Sequence, residues 1–194
     1  MTFLVPVFNE EQVIPFFYQA VADFRAAIED RYQVSMLFIN DGSTDQTQEV
    51  LKVLAGRDES VRAVSFSRNF GKEAALFAGL EHSTTDIVIP IDVDLQDPLQ
   101  TVHAMLEKYE QGFDVVLGKR IDRSSDGFLK KKSAEMFYRF HNKISTPKIE
   151  ENVGDFRLMT RRVVDELVKL RETQLFMKGL LSWVGFKTAI VPYK

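Results

Sequence analysis

The stretch Ile87–Pro98, IVIPIDVDLQDP, sets a β-branched apolar run against three carboxylates, Asp92, Asp94 and Asp97, with no basic residue among them. The run has the length and branching of a strand buried on both faces. Charge concentrated at its end calls for a cation or for open water. If the strand continues through residues 92 and 94, their side chains point to the same side, because alternate residues of an extended chain do so. Both carboxylates then reach one ion. An all-oxygen donor set suits Mg²⁺ or Mn²⁺, whereas zinc favours His or Cys. The chain has no cysteine, and His82, His103 and His141 fall in helical segments without ligand spacing. Asp97, followed by Pro98, reads as the cap of the next helix.

Working outward, apolar runs at Phe3–Val7, Val34–Asn40, Val61–Ser65 and Val115–Leu117 repeat the strand signal. Segments of helical period separate them. In Glu11–Asp30 the residues Val13, Ile14, Phe17, Val21, Phe24 and Ile28 fall three or four apart, and Gln46–Leu54, Lys72–Glu81 and Leu99–Tyr109 read likewise. Strand–helix alternation predicts an α/β fold, a mostly parallel sheet with helices on both faces. Ligands of such sheets bind beyond the carboxyl ends of the strands. After Gly118 the alternation breaks. A basic segment, GKRIDRSSDG, leads to a helix of about fifteen residues. Next come a polar loop STPKIEENVGDF, helices around Arg161–Leu170 and Gln174–Trp183, and a short strand at Thr188–Val191.

Four successive strand ends carry chemistry-bearing residues. They are VPVFNEE with Pro6, Phe8, Asn9 and Glu10; FINDGSTD with Asn40, Asp41, Gly42 and Ser43; SFSRNFGKEAA with Arg68, Asn69, Gly71 and Lys72; and IDVDLQDP. Each has an ordinary explanation, as a turn or a helix start. Their convergence on one edge of one sheet makes a common site the better reading.

Composition sets the bounds. With 194 residues, 45% hydrophobic and 27% charged, the chain fits one packed domain. A net charge of -3 provides no overall field for nucleic acid. The absence of cysteine excludes disulfides and thiolate catalysis. No secretory signal and no run of about 18 apolar residues is visible. The chain is therefore expected to be soluble by itself, and its abrupt end at AIVPYK reads as an excised domain.

Taken in order, VPVFNEE, FINDGSTD, SRNFGKEAALFAGL, IDVDLQDP, GKRIDRS and ENVGDFRLMTR resemble family 2 glycosyltransferases of the GT-A fold and cover nearly the whole chain. The likeness is to the polyisoprenyl-phosphate branch, which includes dolichol-phosphate mannose synthases and bactoprenol glucosyltransferases. Gln96 and the Gly-Asp-Phe-Arg run at 154–157 align it with the phage or prophage type that serves O-antigen glucosylation. The resemblance implies that Pro6, Phe8, Glu10, Ile39 and Asp41 hold the nucleoside, with Lys72, Asp92 and Val93 also on the donor. It implies Asp92, Asp94 and Gln96 around the metal and diphosphate, and Asp155 as the catalytic carboxylate, with Asp94 and Arg120 assisting. It divides the single domain into a nucleotide-sugar half, 1–118, and an acceptor half, 119–194, continuing in relatives into membrane helices.

The expected reaction is inverting transfer of a hexose, glucose from UDP-glucose, to a polyprenyl phosphate at the cytoplasmic face of the bacterial inner membrane. A phosphate with a second pKa of about 6 is already largely an anion near neutrality, so Asp155 is read as orienting the acceptor or the metal shell, with a general-base role as the alternative. Six basic residues between Lys119 and Lys132 stand against two acidic ones, and Arg120, Arg123 and Lys130 are candidates for the acceptor phosphate. The same basic run suits an anionic membrane surface. The apolar segment Leu175–Phe186, with Trp183, reads as core packing. A homo-oligomer is left open. The competing readings are a GDP-mannose-dependent mannosyltransferase, a sugar nucleotidyltransferase, a receiver-type phosphoacceptor domain and a non-catalytic sugar-nucleotide-binding module.

Overall fold

The computed structural model describes residues 1–121, 153–170 and 185–193. In chain order the elements are β1 (Thr2–Val7), α1 (Ile14–Ile28), β2 (Ser35–Asn40), α2 (Thr47–Arg57), β3 (Val61–Ser65), α3 (Lys72–His82), β4 (Ile87–Pro90) and α4 (Leu99–Glu110). Then follow β5 (Val115–Arg120), β6 (Val153–Thr160), α5 (Arg161–Lys169) and β7 (Thr188–Tyr193). The strands form one sheet in the order β3-β2-β1-β4-β6-β5-β7. β6 runs antiparallel to β4 and β5, and every other neighbour is parallel.

Alternation along the strands divides the core in two. Phe3, Val5, Met36, Phe38, Ile87, Ile89 and Phe156 face α1, α2 and α4, where Phe17, Val21, Leu51 and Val102 meet them. Leu4, Leu37, Ile39, Val88, Val115 and Met159 face α3 and α5, packing on Leu76, Leu80, Val163 and Leu167. Both sheet faces are thus covered, as expected of parallel strands. Each fully buried aliphatic or aromatic side chain contributes about 1.5–3 kcal/mol relative to exposure. No helix among the described residues is long and apolar enough to cross a membrane.

Three expectations need correction. The segment read as a polar loop up to Phe156 turns at Val153 into β6, a strand inside the sheet rather than outside it. Its Gly, Asp and Arg disguised it, because buried strands are ordinarily apolar throughout. β4 ends at Pro90, so Asp92 and Asp94 lie beyond the strand in a turn, followed by Leu95 at φ 57°. The same-side argument for an extended chain therefore does not apply to them. Asp97 makes no capping bond to α4. It accepts a hydrogen bond from the Tyr193 hydroxyl instead, tying the end of β7 to this turn. The helix expected before residue 145, the helix at Gln174–Trp183, and with them His141 and Trp183, lie outside the described residues.

Candidate active-site cleft at the strand ends

The loops after β1 and β2 hold one another. Asn9 sits at φ 56°, a conformation Asn tolerates. Its N–H donates to Ser43 Oγ at 2.9 Å, and its Oδ1 accepts from the Thr44 N–H at 2.8 Å. The Glu10 N–H donates to Thr47 Oγ1 at 2.9 Å, and the Gln46 N–H to Glu11 Oε2 at 2.7 Å. Asp45 accepts from the Thr47 N–H at the start of α2, at 3.0 Å. Burial alone would raise the Asp45 carboxyl, but its bonds to Thr47 and Glu11 outweigh that and hold it low.

The loop after β3 is tied to β2 by Asp41, which is buried. Asp41 Oδ1 accepts from the Phe70 N–H at 2.7 Å and Oδ2 from the Gly71 N–H at 2.9 Å. This requires close approach at Gly42, where a Cβ would fall 2.2 Å from the Arg68 carbonyl carbon. Gly71, at φ 97°, then turns the chain into α3 and places Lys72 at its first residue.

Together these loops enclose a cleft of about 370 Å³. Pro6, Val7, Phe8, Glu10, Asp41, Asn69, Gly71, Lys72, Ala75, Asp92, Val93 and Asp94 line it. The size falls within the range of small-molecule sites. Four carboxylates face one ammonium. Burial, together with Asp94, Asp45 and Asp92, pushes the Glu10 carboxyl above its ordinary value. Lys72 Nζ lies 2.7 Å from Asp92 Oδ1 and 2.9 Å from Oδ2. It also lies 3.2 Å from Asp155 Oδ2. Burial disfavours its charge, but Asp92 and Asp155 outweigh burial and hold the lysine above its usual value.

Asp155 reaches this edge from β6. The register with β5 slips between Leu117 and Lys119, so that residues 153–157 run against 117–119. Irregularities of this kind re-aim side chains beside functional sites. Asp155, Arg157 and Met159 face a small crevice beside Leu76, Leu80 and Pro90. Asp155 Oδ1 is buried and accepts no hydrogen bond among the described residues. Arg157 is only 3% exposed and folds back on its own strand, donating to the carbonyls of Asp155 and Gly154 at 3.1 and 2.6 Å. Burial lowers its guanidinium to about 10, against the pull of Asp155 and Glu73, and it remains a cation at neutral pH.

The structure therefore brings together Pro6, Phe8, Glu10, Asp41, Lys72, Asp92, Val93 and Asp94, and sets Asp155 against their edge through Lys72. Ile39 is fully buried in β2 beside Pro6, its partner in the β1–β2 register, and does not line the cleft. Gln96 is exposed and touches the site through its N–H, which donates to Asp94 Oδ1 at 3.2 Å. Arg120 ends β5, exposed and outside the cleft lining. Arg123, Lys130 and most of the segment from Lys119 to Lys132 lie outside the described residues. Sequence reasoning missed Arg157. Its signal was a single basic residue inside the apolar run Phe156–Met159.

Could these residues hold a divalent cation? No group of three or more His, Asp or Glu among the described residues closes around an ion. Asp92 and Asp94 are neighbours in the cleft, however, and with burial and Asp45 they raise Glu10. That is part of an oxygen shell for Mg²⁺ or Mn²⁺, of the kind that substrate phosphates complete. The residues fit such an ion.

The family model described as "Glycosyl transferase family 2" matches residues 2–168. Over its whole length the chain is 58% identical to the bactoprenol glucosyl transferase of Shigella phage SfX, of which it covers 63%. It thus spans less than two thirds of that relative. Among solved structures it is similar to the mannosyltransferase PcManGT of Pyrobaculum calidifontis, in complex with GDP-Man and Mn²⁺. The TM-score is 0.64 at 17% identity, covering 98% of this chain and 54% of that one. It is also similar to glucosyl-3-phosphoglycerate synthase of Mycobacterium tuberculosis, in complex with Mn²⁺, UDP-glucose and phosphoglyceric acid. There the TM-score is 0.58 at 20% identity, covering 98% and 68%. These two likenesses establish the fold, that of GT-A glycosyltransferases. The match over residues 2–168 and the identity along the entire chain lead to one assignment: the chain belongs to glycosyl transferase family 2.

Proposed function

We propose that this protein transfers glucose from UDP-glucose to a polyprenyl phosphate, with inversion at the sugar carbon, at the cytoplasmic face of a bacterial inner membrane. One observation carries the reading: a nucleotide-sized cleft at the strand ends presents Asp92, Asp94 and Lys72 beside Asp155. The likeness to bactoprenol glucosyl transferases supports the choice of sugar and acceptor. O-antigen modification is the matching use of the product.

In this reading Pro6 and Phe8 form the apolar wall on which the base lies, and Asp41 holds the loop that closes over the nucleoside. Asp92, Asp94 and Gln96 would hold a divalent ion, Mg²⁺ or Mn²⁺, which when bound would supply Lewis-acid stabilisation of the departing diphosphate. Lys72 places positive charge where that diphosphate gathers negative charge. Asp155 orients the acceptor. No proton transfer to it is required, because a phosphate nucleophile is largely ionised near neutrality, its second pKa being about 6. The segment after Arg120 supplies the acceptor side, with Arg120, Arg123 and Lys130 on the lipid phosphate and its basic run on the membrane. Residues 1–118 are then the donor half and 119–194 the acceptor half of one domain.

The test is a divalent-dependent transfer assay. It offers undecaprenyl phosphate with radiolabelled UDP-glucose, UDP-N-acetylglucosamine and GDP-mannose in parallel. A lipid-linked product from UDP-glucose is expected. Product from GDP-mannose alone would move the protein to the mannosyltransferases. No product from any donor, with protein carried into membranes at its full natural length, would overturn the proposal.

A further inference from the structure

Lys72 is the single cation among the cleft-lining residues, and its ammonium is paired with two carboxylates. Three carboxylate oxygens lie within 3.2 Å of it: both oxygens of Asp92, at 2.7 and 2.9 Å, and Asp155 Oδ2 at 3.2 Å. Asp92 also belongs to the Asp92-Val93-Asp94 turn to which the divalent ion is assigned. A divalent cation on that carboxylate meets the ammonium at close range, in a cleft partly shielded from water, where like charges repel strongly. Lys72 and the metal therefore compete for one carboxylate. The backbone of Lys72 is fixed at the first residue of α3, but its four-carbon stem lets Nζ swing. A diphosphate supplies the negative charge that can take the ammonium from Asp92 and bring its own ion.

We propose that Lys72 is a resident counter-ion that reserves Asp92: it keeps divalent metal out of the empty cleft and releases that carboxylate only when a nucleoside diphosphate arrives, so that metal and nucleotide bind as a coupled pair. This rests on the donor-site reading above. It makes Lys72 a positioning residue for metal entry, in addition to its contact with the donor.

The experiment follows the free Mn²⁺ signal by electron paramagnetic resonance during titration of the chain, with and without UDP. It compares wild type, Lys72→Met, Lys72→Gln and Lys72→Arg. Lys72 is half-exposed, and both neutral variants keep most of its stem, so two folded neutral proteins are compared. Without UDP, the neutral variants are expected to bind Mn²⁺ about tenfold tighter than wild type, or more. Lys72→Arg, which keeps the charge, stays within a few-fold of wild type. UDP then tightens Mn²⁺ binding more in wild type than in the neutral variants, and Asp92→Asn in the Lys72→Met background removes the gain. If both neutral variants bind Mn²⁺ no tighter than wild type without UDP, while UDP still recruits Mn²⁺ to all of them, the counter-ion role is wrong and the donor site stands. If UDP recruits Mn²⁺ to none of the proteins, the donor-site reading fails and takes this proposal with it.

Discussion

Arg157 lies two residues beyond Asp155 on β6, with its Nη2 3.9 Å from Asp155 Oδ1 and its guanidinium almost wholly buried. The pair shares the face of the sheet that α3 covers. Arg157 thus sets a positive charge beneath Asp155 while Lys72 approaches it from the cleft. Removing the Arg157 guanidinium leaves the carbonyls of Gly154 and Asp155 without their donor and costs about 1–3 kcal/mol for each group left unsatisfied in the interior. Arg157→Met is therefore expected to lower the urea midpoint. Arg157→Lys should recover only part of the loss, since a compact ammonium lacks the planar fork that spans both carbonyls. Urea unfolding of the three proteins checks this.

The carboxylates of the cleft should separate binding from turnover. Asp92→Asn and Asp94→Asn each leave a neutral group of the same shape, and in the transfer assay each is expected to cut kcat by about 10²–10³. Asp155→Asn should lower kcat with little change in the KM for donor, as fits a group on the acceptor. Near wild-type turnover in Asp155→Asn would remove any catalytic part for that residue.

Gly42 is held at φ 68° against the backbone of Arg68 and Asn69. A methyl group at this position meets rigid backbone on one side and a strained dihedral on the other. Gly42→Ala is expected to lose about 2 kcal/mol or more of stability. It should also weaken UDP binding, because the loop it displaces is the one Asp41 holds. Thermal unfolding with and without UDP reads both effects.

Glu10 provides a pH test in one direction. Its carboxyl is raised in the folded protein by burial and by Asp94, Asp45 and Asp92, so its charged form opposes folding. Stability from this group is full below the unfolded-state value and falls as pH rises through the folded one. Glu10→Gln is expected to raise Tm at pH 7 in the nucleotide-free protein. The difference should vanish below about pH 4, where the glutamate is protonated in both states.

Asp58 provides the opposite test. Its oxygens accept from Tyr18 Oη at 2.9 Å, Arg25 Nη2 at 3.0 Å and the Ser60 N–H at 2.9 Å, linking α1 to the start of β3. Burial pushes this carboxyl up, but Arg25, Ser60 and Tyr18 together hold it well below the usual carboxylate range. Its contribution is present above the unfolded value and lost as pH falls through the folded one. Asp58→Asn is expected to cost about 2 kcal/mol at pH 7. The gap in Tm between variant and wild type should narrow steadily on acidification below about pH 4.

Much of the sheet was legible because the parallel strands β1, β2, β4 and β5 are buried on both faces and therefore appear as apolar runs. Each ends in polar or charged residues that break the apolar run, such as Glu10, Asp41 and Asp92. β6 was not legible. Gly154, Asp155 and Arg157 contradict a buried strand locally, and only pairing with β4 and β5 offsets that. The turn at Asp92–Leu95 was likewise hidden inside what read as a continuing strand.

The amino-acid sequence alone determined the α/β alternation, the set of chemistry-bearing strand ends and the concentration of carboxylates after β4, because those follow from local periodicity and from which residues a core rejects. Three relationships were decided only by the tertiary structure. Lys72 neutralises Asp92 from 20 positions away, Asp155 enters from an antiparallel strand inserted between β4 and β5, and Arg157 lies buried behind it. The physical reason is that ion pairing and desolvation depend on distances through space, and a chain folded into a sheet sets those distances by strand order rather than by position along the sequence.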